Sequence, residues 1–153
     1  MTPAEPREVL FLLSIDTEED NWRPSRAGVS ARNIRALPDF VTFLGSLGVR
    51  PTLFSTYQVL SDPAAGPMLR EMLQAGVAEI GAHLHPWNTP PEIEPLDQRY
   101  TMLNNLPRAL KRSKLESLTA AIRRAWESRS VVVVPGFAGI HEDGGAALLG
   151  RGG

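Results

Sequence analysis

Residues 9–20 read VLFLLSIDTEED: an apolar run broken only by Ser14 passes, with no turn residue, into four acids within the five positions 16–20. A short continuous apolar run ending in polar residues is the pattern of a strand buried on both faces of a parallel sheet. Acids crowded at such a strand end repel one another, so the segment predicts both a first strand and a positive charge placed beside its end.

Downstream, Ile34, Leu37, Val41, Leu44 and Leu47 recur at helical spacing across residues 33–48, and Gly48 is placed to stop that helix. The stretch VRPTLFSTYQVL predicts a second strand after Arg50–Pro51, and DPAAGPMLREMLQAGV a second helix ending at Gly76. AEIGAHLH supplies a third strand. A proline-rich connection over residues 86–105 follows, then a helix over residues 106–129 and a fourth strand in SVVVV. The basic run LKRSKLESLTAAIRR within that helix reads as a solvent-facing surface. Residues 136–153 are a Gly-rich, atypical tail. Strands alternating with helices indicate an α/β sheet or barrel with parallel strands and right-handed crossovers.

The chain has 153 residues, which suits a single domain able to bury a core. Its 42% apolar and 22% charged residues are those of a folded globular protein. A formal charge of -1 gives no global attraction to nucleic acid or to an anionic membrane. The absence of cysteine removes disulfides, thiolate nucleophiles and thiolate metal sites. The apolar part of EVLFLLSID is too short to span a membrane and is preceded by Glu5 and Glu8, with no basic leader, so a cytoplasmic location is expected.

In parallel α/β architectures the C-terminal ends of the strands gather at one mouth, where ligands bind. Residues two apart on a strand share a face, so His83 and His85 can aim two imidazoles at one spot, and Asp16 and Glu18 two carboxylates. If the two strands are neighbours, these sets face each other. Two imidazoles with one or two carboxylates suit Zn²⁺, with Co²⁺, Ni²⁺ and Mn²⁺ admissible by ligand type. A dication among the acids would explain their crowding.

LLSIDTEEDNW, then PTLFSTYQVL, then AEIGAHLHPWNTPP together resemble the polysaccharide deacetylase family, the NodB-homology fold of carbohydrate esterases, over residues 9–91. The resemblance implies a distorted (β/α) barrel, of which this chain is the N-terminal part. It also implies a metal-dependent hydrolase that removes N-acetyl groups from carbohydrate. It places the general base on Asp16 and the metal ligands on Glu18, His83 and His85. Trp22, Trp87 and Tyr57 follow the motifs at positions suited to contacting a sugar, with an oxyanion-stabilising N–H expected near Ser55–Tyr57.

The sequence departs from the family in three places. Thr17 stands where many members have a second aspartate, and only Leu84 separates the histidines, as in a subgroup with a His-Leu-His-Pro-Trp string. After SVVVV the family's arginine motif and late histidine are replaced by PGFAGIHEDGG, which implies a truncated or frame-altered barrel. The resemblance also implies a second reading, an amidase of the same fold acting on a small C–N substrate, and the missing arginine and late histidine support a third, a non-catalytic remnant that binds metal or saccharide. Unfinished barrel edges predict self-association.

Overall fold

Thr52–Ser55, the segment after Pro51, forms the second strand (β2) of a four-stranded parallel sheet, and it pairs with Ser14–Thr17 (β1) on one side and Glu79–Leu84 (β3) on the other. Val133–Pro135 (β4) pairs beyond β3, so the strand order is β1-β2-β3-β4. The computed structural model describes residues 9–20, 24–125 and 133–135. Sheet order equal to chain order, with helices in the crossovers, is the α/β arrangement the sequence predicts. The sheet is open over the described residues, which is compatible with part of a barrel.

Between β1 and β2 a 3-10 turn over Arg32–Ala36 runs into α1, Leu37–Ser46. Ile34, Val41 and Leu44 are buried as their spacing requires, and Gly48 adopts a φ of +74°, the left-handed turn that ends the helical segment. Leu47 departs from the expected face and is 62% exposed, because the helix has already ended at Ser46.

A short helix that the periodicity did not reveal, α2 (Tyr57–Ser61), follows β2 directly. Thr56 starts it: its hydroxyl accepts from the Val59 N–H at 3.4 Å, the side-chain capping expected of threonine. The next helix, α3 (Ala65–Gln74), packs so closely on α2 that a Cβ on Gly66 would meet the Leu60 carbonyl oxygen at 2.8 Å. The last described helix is α4, Arg108–Ala125.

The core lies between the sheet and these helices, with Leu53, Val59, Leu69 and Leu118 fully buried. Each such side chain stabilises the fold by roughly 1.5–3 kcal/mol through lost apolar hydration.

Two expectations are corrected here. Val9–Leu12 is not part of β1; these residues are 71–90% exposed, and within the strand Ser14 and Asp16 are exposed as well. The physical reason is position: these residues precede the outer strand of the described sheet, and no described element covers them. The basic face of α4 is likewise not wholly solvent-facing, for Lys114 is fully buried. Among the described residues no helix is long and apolar enough to cross a membrane. Trp22 and the tail over residues 136–153 lie outside the described residues.

Candidate metal centre

The sheet register sets the site. Thr17, Ser55 and Ala82 stand level across β1, β2 and β3, so Glu18 and His83 each lie one residue beyond the same rung. β1 and β3 are not neighbours, as the sequence suggested, because β2 runs between them. The side chains meet across the end of β2, where the small Ser55 and Thr56 leave room.

There Glu18, His83 and His85 converge, with one donor atom from each lying within 4.8 Å of the others. The Glu18 Oε1 atom is 2.9 Å from His83 Nε2 and 3.3 Å from His85 Nε2, and the two Nε2 atoms are 3.1 Å apart. Both histidines are buried. Bonds of about 2.05 Å to a tetrahedral Zn²⁺ would set donors roughly 3.3 Å apart. The observed separations are close to that edge length, and a set of two imidazoles and one carboxylate leaves a fourth position for water or substrate. The donor set therefore fits a divalent transition metal, although the geometry does not choose between Zn²⁺ and its neighbours.

Burial, and the adjacent His85, hold the His83 imidazole below the ordinary histidine range, against the opposing pull of Asp16 and Glu18. A neutral imidazole is the form that binds metal. Asp16 is not one of the three convergent donors. Its Oδ1 lies 3.6 Å from His83 Nδ1, the ring nitrogen turned away from Glu18, and that nitrogen has no hydrogen-bond partner among the described residues. The Asp16 side chain is 51% exposed at the mouth.

The remaining acids have separate partners, so one dication does not account for the whole cluster. Asp20 accepts hydrogen bonds from the Ser30 hydroxyl and from the N–H groups of Arg32 and Asn33, at 3.0 and 2.9 Å for the two amides. Those bonds, the Ser30 hydroxyl first, hold its carboxyl below the ordinary range. Asn33 in turn donates to the Glu18 carbonyl at 2.9 Å, tying the Glu18 backbone to the start of the 3-10 turn.

Glu19 is buried and accepts from Thr56 Oγ1 at 2.8 Å, from His85 Nδ1 at 3.1 Å and from Asn88 Nδ2. Burial alone would raise its carboxyl, but the bond and charge of His85, with help from Thr56, outweigh it and hold the group low. The sequence analysis assigned nothing to Glu19 or Asn88. The available signal was strand alternation, which puts Glu19 with the inward Thr17 and apart from Asp16 and Glu18.

Trp87 stacks on the His85 ring, with centroids 4.2 Å apart and planes 22° from parallel, and is itself partly buried. Tyr57 packs against the hydrophobic core. The Thr56 N–H, within the loop expected to supply an oxyanion donor, is already bonded to the Thr17 carbonyl at 3.1 Å.

The loop after His85 is pinned from behind. Arg26 donates to the carbonyls of Trp87 at 2.6 Å and Glu94 at 3.1 Å, and pairs with the Glu94 carboxylate at 2.8 Å. Lys114 donates to the carbonyls of Thr89 and Pro91, each at 2.7 Å, and pairs with Glu94 at 3.0 Å.

Comparison with known protein families, with characterised proteins and with solved structures finds no match for this chain. Its function has to be argued from the site itself.

Proposed function

We propose that the chain is a metal-dependent hydrolase of the polysaccharide deacetylase type, removing N-acetyl groups from carbohydrate. The observation that carries the proposal is the meeting of Glu18, His83 and His85 at a strand-end mouth, with the Asp16 carboxylate beside them. The resemblance of the two strand-end motifs supports the same assignment.

In this reading Glu18, His83 and His85 hold the ion. A divalent ion supplies Lewis acidity toward an acetamide carbonyl and makes a nucleophile available from water at neutral pH. Asp16, half-exposed and outside the ligand set, takes the proton released as water adds to the acetamide carbon. Trp87 offers part of its ring beside His85 as an apolar surface for a sugar, whereas the core packing of Tyr57 commits that ring elsewhere.

The test is acetate release from N-acetylglucosamine oligomers with added Zn²⁺ or Co²⁺, comparing the wild-type chain with Asp16→Asn. Metal-dependent release that drops by about 10²-fold or more in the variant is expected for loss of a general base. Release indifferent to metal stripping points to the amidase reading. No release from either chain, with metal nonetheless bound, points to a binding remnant.

A further inference from the structure

Glu19 is a carboxylate almost wholly removed from water, its side chain 2% exposed, and among the described residues no lysine or arginine pairs with it. A buried carboxylate without a cation must satisfy its lone pairs by accepting hydrogen bonds, since in the ionised state it has none to donate. Two of its three partners can only donate here. Asn88 presents its Nδ2 amide, and Thr56 gives Glu19 its single hydroxyl proton while accepting from the Val59 N–H. The third contact is His85 Nδ1 at 3.1 Å, and an acceptor-only oxygen requires a proton on that nitrogen.

From this geometry we infer that Glu19 is a positioning residue: it keeps a proton on His85 Nδ1 and so turns Nε2 toward Glu18 and His83. Trp87 holds the face of the same ring, so edge and face are both constrained. The consequence for metal affinity rests on the metal-binding reading proposed above; the tautomer does not. An anionic partner on the far nitrogen also raises the basicity of the ligating one, as carboxylates behind metal-bound histidines do, typically at 10–100-fold in metal affinity.

Two measurements test it on the full chain. Long-range ¹H–¹⁵N correlation of the metal-free wild type, at a pH where histidine is neutral, is expected to show His85 protonated at Nδ1. A spectrum with His85 protonated at Nε2 overturns the inference without reference to any metal. Titration with Zn²⁺ is then expected to give Glu19→Gln a dissociation constant 10–100-fold above wild type, with Glu18→Gln as the lost-ligand control. A folded Glu19→Gln that binds Zn²⁺ as tightly as wild type overturns the positioning role while leaving the metal site standing. A wild type that takes up no Zn²⁺, but shows His85 protonated at Nδ1, defeats the hydrolase proposal and upholds the Glu19 assignment.

Discussion

Two carboxylate-centred groups adjoin the loop that follows His85, and they are compensated differently. Behind the loop, the Glu94 carboxylate meets Arg26 and Lys114, whose donors are shared with the carbonyls of Trp87, Thr89 and Pro91; burial pulls the Lys114 ammonium below the usual lysine range, and Glu94 opposes that pull. In front, the Glu18 carboxylate meets His83 and His85, whose Nε2 atoms face each other at 3.1 Å. The first group carries its own compensation. The second has converging donor atoms and, among the described residues, no lysine or arginine, and supplying a cation is what a bound metal would do. Acid density alone therefore does not mark a metal site; what marks it is whether a lysine or arginine stands among the neighbouring bases.

The largest expected effect tests the self-compensated group. Lys114→Met should lower stability by about 3–5 kcal/mol in chemical denaturation, because the buried Glu94 loses a partner and two carbonyls lose a donor. Zn²⁺ stoichiometry of the folded protein should be unchanged. Loss of Zn²⁺ uptake without loss of stability would erase the contrast between the groups.

Next, Zn²⁺ at about 100 times its dissociation constant should stabilise the wild type by roughly 2.7 kcal/mol by mass action. His83→Ala should abolish that increment, read as a shift in the thermal midpoint. An equal shift in the variant would remove His83 from the site.

A smaller effect, about 1 kcal/mol, is expected for Asp20→Ala, which deprives the Arg32 and Asn33 amides of their acceptor. The sign with pH is fixed by the lowered Asp20 carboxyl. Its contribution is complete above the ordinary carboxylate value and is lost as pH falls through the folded one, so variant and wild type should converge in acid. A gap that widens in acid would contradict the assignment.

Last, Arg50→Ala should cost less than about 1 kcal/mol, since both partners of the Arg50–Glu79 pair are 54% exposed. A larger loss would show that surface pairs in this protein behave like the buried ones.

Much of the fold was legible in the order of residues. Val41 and Leu44 declared α1, Gly48 declared its end, and the apolar cores of PTLFS and AEIGAHL declared β2 and β3. That the two histidines would converge was legible because alternation along a strand aims residues two apart at one face. Less was legible where side-chain fate depends on a distant partner. VLFLL reads as buried, yet Val9–Leu12 is exposed because it precedes the outer strand of the described sheet and no described element covers it. Lys114 reads as a surface cation, yet it is enclosed because α4 delivers it to the carbonyls of a loop more than twenty residues upstream.

Local sequence determined the alternation of strands and helices, the ends of the helices and the types of donor available at the two strand ends, since these depend on backbone preference and on periodicity within a few residues. Tertiary structure alone decided how four adjacent acids divide their work. Asp16 faces solvent, Glu18 joins the imidazoles, Glu19 grips His85 and Asp20 caps a turn. The reason is that a carboxylate's role is set by which donor lies within about 3 Å of it, and here those donors come from β3, from α2 and from the turn before α1, segments far apart in the chain.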